Sequence, residues 1–525
     1  MKFAALLSAA LMVHGVSPLR AAETFDVVVY GATSGGVVAA IAAAKQNLKV
    51  ALVEPGRHLG GMTTGGLGRT DHGKKETIGG MSLEFYQRVG REYGKDIVWY
   101  FEPHVAEKVF KQWVQEAGVK VYYGHRLRQE DGVKKRGNRI REFYTENGVA
   151  FAARIFMDAT YEGDLFKHAK VSYTVGREGV AQYGETLAGV REKDRNHQFD
   201  FPVAAHDANK QLLAEIQTTP RGEIGAADKK VQAYNFRMCL SDDASNQVAI
   251  PKPANYNPGR YELWLRWVEA FQKEKNRLPR MNELMIVSRL EKASKTDINN
   301  RGPFSTDYIG ASWTYPEATY EQRAQIWQAH IDYTAGFFHF LQTEPRVPAE
   351  IQKEMKRWGL CADEFIDTHH WPHQLYVREA RRLVGDWVMT QKDIQTELTK
   401  PDVIGMGSYN SDSHNVQRYV QPDGTVQNEG NMEVAVKPYQ IPYRVLLPKK
   451  KEVENLLVPV CVSSSHVTYS TLRMEPVYMI LGQAAGLAAR MAIDQNAAVQ
   501  DIDTAALTKA LRGYGAVMEW KEAAQ

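Results

Sequence analysis

The chain is poor in cysteine: Cys239, Cys361 and Cys461 are the only three in 525 residues. They are odd in number and widely spaced, which excludes a disulfide scaffold and a CxxC metal site. Each reads as a small buried hydrophobe. Charge of one sign is also lacking, with a net charge of +3 and no stretch that interleaves dense Lys/Arg with aromatics. A nucleic-acid partner is therefore not expected. Short basic runs, "KKRGNR" (134–139) and "KKKE" (449–452), read as solvated hairpins or loops. No segment behind the first residues reads as a membrane span, and there is no internal repeat or low-complexity stretch. Metal-ligand constellations are thin as well. "THHWPHQ" (368–374) carries His369, His370 and His373, but Pro372 breaks the i, i+4 geometry and no acid or cysteine completes a set. No metal is expected, and this stretch reads as an aromatic, histidine-rich pocket wall.

What is present is an ordinary globular composition, 44% hydrophobic and 24% charged, in a chain too long for one simple core. At the N-terminus Lys2 precedes an apolar stretch, Phe3 to Val13, and then small residues around Ala21 and Ala22. That order reads as a cleaved signal peptide over 1–22, hence a periplasmic or secreted protein. The competing reading is a buried first helix.

Behind the leader, "FDVVVYGATSGGVVAAIAAAKQNLKVALVE" (25–54) reads as strand, glycine turn, alanine-rich helix and second buried strand. Gly31 and Gly36 take the first and third positions of a dinucleotide turn, Thr33 takes the second, and Gly35 is extra. Thr33 or Ser34 offers a hydroxyl donor, and the helix from about Gly35 aims its amides at a pyrophosphate. Glu54 closes the second strand, where a carboxylate accepts from an adenosine ribose diol and repels a 2′-phosphate. Seven glycines then fall within residues 54–73, including Gly60, Gly61 and Gly66, punctuated by Met62, Thr63 and Leu67. A second glycine-rich segment there suits a flat, extended cofactor such as FAD better than NAD. Helices are predicted over 81–94, 102–118, 318–342, 374–394 and 475–493. An antiparallel meander is predicted within 119–165, turning at Asp131-Gly132 and Asn147-Gly148.

Together with "MDATYEGDL", "QAYNFRMCL", "NNRGPFSTDYIG", "LYVREARRLVGDWVMT", "MGSYNSDSHN" and "SSSHVTYSTLRMEPVYMILGQAAGLAA", these segments resemble the FAD-dependent oxidoreductases with glutathione-reductase-type FAD binding. More narrowly they resemble exported bacterial members sometimes labelled xanthan lyases. The likeness covers nearly the whole mature chain and is weak on substrate. It implies an α/β fold whose Rossmann-like FAD-binding domain is split over 24–195 and 374–500. An inserted, largely helical substrate or cap domain would span 196–373 and a C-terminal tail 501–525. It also implies cofactor contacts from Val121, Ala159, Thr160, Glu475 and Ala485, with the helix starting at Glu475 directed at the flavin pyrimidine. Many relatives hold the ribityl chain with an acid in the last strand; here "LVPVCVS" has Cys461 and Ser463 instead.

For chemistry, His466 and His414 are the candidate bases, since histidine titrates near working pH. Arg473 is the candidate anchor for substrate or for developing negative charge. The structural alternatives are loop histidines and a salt bridge from Arg473 to Glu475 or another acid. Arg378 and either Arg381 or Arg382 would share a helical face as phosphate or anion ligands, or as a solvated or ion-paired surface. Asp164 reads as a helix cap or a cofactor contact, and His58 as a minor candidate for covalent flavin attachment. The sequence thus points to an FAD-dependent enzyme transferring hydride from a small polar substrate, a sugar, polyol or glycan fragment, to flavin N5. The electron acceptor, oxygen or another, stays open. The alternatives are a polysaccharide lyase or hydrolase in which FAD is structural or acts without net redox, and a purely binding flavoprotein.

Overall fold

The computed structural model describes residues 23–521, so the expected leader over 1–22 lies outside the described residues. Strand β1 (Glu23–Tyr30) is central, pairing in parallel with β2 (Val50–Glu54) on one side and β6 (Ala150–Asp158) on the other. Val27, Val28 and Val29 are fully buried because both faces of β1 are covered, which is why the run is apolar without alternation. The sheet runs β3 (Lys120–Tyr123), β2, β1, β6, β5 (Arg139–Tyr144), β4 (Val133–Arg136), with Leu456–Leu457 adding a parallel pairing to β6. The meander is present, but Asp131-Gly132 precedes β4, and the β4–β5 turn falls at Gly137-Asn138.

Helix α1 (Ser34–Ala44) packs on the sheet and is crossed by the helix Glu475–Asp494. The crossing needs small residues. A Cβ on Gly482 would lie 2.2 Å from the Gly35 carbonyl oxygen, and one on Gly486 2.5 Å from the Ala42 methyl. By length and composition Glu475–Asp494 could cross a membrane, yet it lies inside the protein core. Helices α2 (Gly80–Glu92) and α3 (Pro103–Glu116) fall where expected.

The middle of the chain, expected to be largely helical, also builds a five-stranded antiparallel sheet. Its order is Met285–Arg289, Lys295–Asn300, Met238–Ser241, Gly359–Cys361, Gln247–Val248. The helices Glu262–Lys275 and Tyr320–Thr343 pack beside it, the latter opened by a Thr319–Gln322 capping box. One hydrophobic core runs through both regions, from Val29 to Phe337. The C-terminal tail carries its own helix, Thr504–Gly513, with Leu507 and Leu511 buried.

Two expectations fail. The helix predicted over 374–394 is absent: the chain is extended, with a strand at Arg381–Leu383 paired to Tyr173–Val175 and only a short helix at Gln391–Gln395. Arg378, Arg381 and Arg382 are each buried and point to separate carboxylates: Asp307; Asp164 and Glu317; Glu178 and Glu379. Satisfying three buried guanidiniums in three directions overrides helical propensity here. The cysteines are not all isolated either, since Cys239 and Cys361 meet with their sulfurs 3.3 Å apart.

Candidate active site

The glycine turn at the end of β1 opens into a cavity of about 630 Å³. One wall is the turn itself, Gly31 to Thr33, then Glu54 to His58 and Thr160 to Glu162. The opposite wall comes from Tyr315, Tyr320, Arg323 and Trp327, and from Asp367, Thr368, His373 and Gln374. Gly31 has φ +95°, and a Cβ there would lie 2.8 Å from the Ala159–Thr160 backbone. A Cβ on Gly36 would lie 2.0 Å from the Gly31 carbonyl oxygen. Both glycines are therefore fixed by close backbone approach.

Thr33, in the position usual for a second glycine, caps α1. Its Oγ1 accepts from the Gly36 amide at 3.2 Å and donates to the Ala159 carbonyl at 2.8 Å. The Ser34 and Gly35 amides find no backbone acceptor among the described residues, so two orphan donors stand at a helix N-terminus beside the cavity. Glu54 accepts from the Ala32 amide at 2.7 Å and the Gly56 amide at 2.6 Å. Burial pushes its pKa up to about 7 against those two bonds.

Asp158, at the end of β6, accepts from the Thr160 amide and hydroxyl and from the Phe166 amide, and its burial raises it to about 6. It thereby serves the first turn of the helix Asp164–His168, the role expected of Asp164. Asp164 instead binds Arg323 at 2.7 and 3.0 Å and Arg381 at 2.8 Å. Burial raises the Asp164 pKa, but the two guanidiniums outweigh it and bring it down to about 2.

Across the cavity His58 stacks on His373 with centroids 3.8 Å apart and planes 7° apart. Burial lowers the His58 pKa, but Glu107 and Asp367 more than reverse this and hold it above its ordinary value. Burial and the charge of His58 press His373 down to about 3. His369 and His370 take left-handed backbone (φ +56° and +64°) in a loop rather than a chelating helix. Among the described residues no group of three His, Cys, Asp or Glu side chains is placed to hold a metal ion.

Of the residues singled out by the sequence, Gly31, Thr33, Glu54, His58, Gly61, Thr160, Asp164 and His373 line the cavity. Ser34, Thr63 and Glu475 meet just behind it: the buried Glu475 carboxylate accepts from the Ser34 hydroxyl at 2.5 Å, Thr63 at 2.9 Å and Tyr161 at 2.7 Å. Burial raises the Glu475 pKa against these three donors. Arg473 does not pair with Glu475. It donates to the Tyr376 hydroxyl at 2.9 Å and the Asp412 carbonyl at 2.7 Å, and its salt bridge is with another acid, the Asp412 carboxylate at 3.6 Å. Gly35 packs on the Tyr478 backbone and Gly66 on the Arg237 carbonyl, while Gly60 faces Thr64 and Phe110. Met62, Leu67 and Ala159 are core residues. Val121 sits mid-strand opposite Leu52 and Ala485 sits within the helix crossing, so neither reaches the cavity. Sequence reasoning missed Tyr161, Arg126, Tyr320 and Arg323. Tyr161 follows Thr160 directly and was within reach of a local argument. Arg323 and Tyr320 come from a helix more than 150 residues away, and nothing in their spacing marks them.

His466 and His414 lie outside this cavity, in one connected buried network. His466 Nδ1 meets Glu379 at 2.7 Å, and His414 Nδ1 meets Asp307 at 2.6 Å. Gln232 joins the two pairs, donating to Glu379 and accepting from the His414 amide, both at 3.0 Å. Burial, then Arg382 and Arg177, lower the His466 pKa to about 3; burial, then Arg378, lower that of His414 to about 4. His466 Nε2 is buried without a partner among the described residues.

The fold and the cavity define a nucleotide-binding α/β protein. Residues 26–511 match the model of the FAD-dependent oxidoreductase family, and the chain belongs to that family. FAD is its cofactor, and the residues present suit it: a tight glycine turn, two orphan helix amides, and a carboxylate closing β2 beside a cavity of nucleotide size. None of the curated proteins compared with this chain matches it. Solved structures with partial likeness include OxyS anhydrotetracycline hydroxylase from Streptomyces rimosus (10% identity, 32% of this chain and 40% of that one, TM-score 0.21). A thioredoxin reductase from Streptococcus pyogenes (20%, 30% and 40%, 0.19) and a flavin monooxygenase from Stenotrophomonas maltophilia (17%, 31% and 44%, 0.21) are similar to the same degree. The match thus spans less than half of each of these chains.

Proposed function

We propose that the protein oxidises a small polar substrate, a sugar, polyol or glycan fragment, and that it works in the periplasm or outside the cell after loss of residues 1–22. Bound FAD would supply the two-electron acceptor, taking the substrate's carbon-bound hydrogen as hydride at N5. The observation that carries this reading is the pair of carboxylate–imidazole couples. With Glu379 on Nδ1 of His466 and Asp307 on Nδ1 of His414, each ring is held in the tautomer that keeps Nε2 as the acceptor. The lowered pKa values keep both imidazoles unprotonated at neutral pH. His466 Nε2, buried and without a partner among the described residues, would take the hydroxyl proton of a substrate once a path opens to it. The His466–Leu472 helix leads through Arg473 directly into Glu475, whose carboxylate touches Ser34 and Thr63 at the glycine turn. The same short segment therefore reaches both proton acceptor and cofactor end. Arg473, buried beside Tyr376 with its Nε unpartnered, supplies positive charge for an anionic or developing oxyanion group.

The test is spectroscopic. The purified protein should show the flavin band near about 450 nm, and an oxidisable sugar or polyol should bleach it without oxygen. Readmitting oxygen or an artificial acceptor should restore the band. A flavin that none of these substrates bleaches, while a polysaccharide is cleaved, would overturn the oxidative reading.

A further inference from the structure

Cys239 and Cys361 stand on neighbouring antiparallel strands, Met238–Ser241 and Gly359–Cys361. Pairing of Leu240 with Leu360, and of Ser241 with Gly359, sets the two cysteines directly opposite each other. Directly opposed residues on antiparallel strands have Cα atoms about 4.5–5.5 Å apart, inside the range a disulfide bridges. The sulfurs are already 3.3 Å apart, so bonding at about 2.05 Å needs a movement of little more than one ångström. Both thiols are buried with Leu290 and Phe365 in a small apolar cluster. Cys461 is held elsewhere, its thiol donating to the Thr160 carbonyl.

We propose that Cys239 and Cys361 are joined as a cross-strand disulfide, formed during folding by exchange with a disulfide-bearing oxidant such as glutathione disulfide or an oxidised dithiol protein. One cysteine thiolate attacks a sulfur of the oxidant and releases a thiol. The second cysteine thiolate then attacks the mixed disulfide, forms the Cys239–Cys361 bond and releases the other thiol. The protein gives up two protons and two electrons, and one oxidant disulfide becomes two thiols. Formation belongs to folding because the finished fold leaves both sulfurs buried.

The bond would join residues 122 positions apart and close the loop that contains the helix Tyr320–Thr343, source of one cavity wall. On its other side Phe365 packs edge-on against His373 at 5.5 Å, and His373 stacks on His58. The segment 362–374, carrying Asp367, Thr368, His373 and Gln374, would hang from the staple as it lines the cavity. The disulfide would thus tie together the two strands that bracket the segments lining the non-Rossmann wall. The geometry stands independently of which substrate the enzyme oxidises.

Peptide mapping of the whole protein decides it. The chain is refolded with glutathione disulfide, denatured, alkylated and digested with trypsin without reduction, which leaves each cysteine in a different peptide. The expected result is one linked pair holding Cys239 and Cys361, with Cys461 alkylated. Three alkylated cysteines, glutathione adducts, or a link to Cys461 would each overturn the proposal. As a second measurement, protein refolded without oxidant should melt lower than oxidised protein by on the order of 5 °C. The Cys239→Ser/Cys361→Ser variant should show no such dependence on oxidant. Equal melting of the wild type under both conditions, with the bond mapped, would remove its structural role.

Discussion

At the glycine turn the part-buried carboxyl of Glu54 is pushed towards its protonated form, whereas in the imidazole network the buried His466 and His414 are held unprotonated. Burial favours the neutral form in both places. Burial raises Glu54 to about 7, although it accepts hydrogen bonds from the Ala32 and Gly56 amides. His466 and His414 have carboxylate partners, yet neighbouring arginines cancel much of that attraction and the rings fall to about 3 and about 4. The difference is chemical in effect. In the proposed reading the acid would gain hydroxyl donors that favour its charged form, and the imidazoles would take a proton.

The largest effect should come from breaking the turn outright. In Gly36→Val the new Cβ meets the Gly31 carbonyl oxygen at 2.0 Å and the Ala159 methyl at 2.9 Å, with no flexible side-chain end to yield. A cost above about 4 kcal/mol is expected, read as loss of soluble, flavin-bearing protein. Next in size is the imidazole end. His466→Gln should slow anaerobic flavin bleaching by roughly 10²–10⁴-fold while flavin content stays at the wild-type level. His414→Gln, run beside it, tells which imidazole takes the proton. Wild-type bleaching rates in both would make the network purely structural.

These two regions were not equally legible in the sequence. Strand, turn, helix and Glu54 lie within thirty residues, so their period and spacing reveal the nucleotide end. The imidazole end is assembled from residues 178, 232, 307, 379, 382, 414 and 466, whose partners lie as far as 288 positions apart. His466 and His414 could be named as polar loop histidines, but Glu379, Asp307 and Gln232 had no local mark. The same non-locality defeated the helix predicted over 374–394, where buried Arg378, Arg381 and Arg382 answer to distant acids. It also hid the meeting of Cys239 and Cys361, which sequence distance alone argued against.

Smaller effects sharpen the contrast. Glu54→Gln keeps the size of the side chain but cannot accept both backbone bonds and ribose hydroxyls as a carboxylate does. FAD affinity is expected to fall about 10- to 100-fold, or roughly 1.4–2.7 kcal/mol, measured by flavin fluorescence on titrating the apoprotein. The two ends should also have opposite pH slopes. Glu54 is raised from its ordinary 4.5 to about 7, so its contribution to apoprotein stability is complete below 4.5 and lost as pH rises through about 7. His466 and His414 are lowered from 6.5. Their contribution is complete above 6.5 and is lost as pH falls towards the folded values. Thermal melts of the apoprotein should therefore lose the decline between pH 4.5 and about 7 in Glu54→Gln, and lose the opposite rise towards pH 6.5 in His466→Gln. An unchanged profile in either variant would remove that residue from the titration.

The smallest effect tests why a threonine stands where a glycine is usual. The Thr33 hydroxyl is engaged twice inside the protein, with the Gly36 amide and the Ala159 carbonyl, and so is not free to serve a phosphate. If capping is its work, Thr33→Ala should cost about 1 kcal/mol in urea unfolding of the apoprotein. Thr33→Gly should cost less at the cap, since glycine is tolerated there, and should leave FAD affinity within a few-fold of wild type. A tenfold loss of affinity in Thr33→Gly, with stability unaffected, would mean that the hydroxyl turns to the cofactor when it binds. The turn would then use a side-chain donor where relatives use bare backbone, and the apoprotein bonds of Thr33 would be those it gives up on binding.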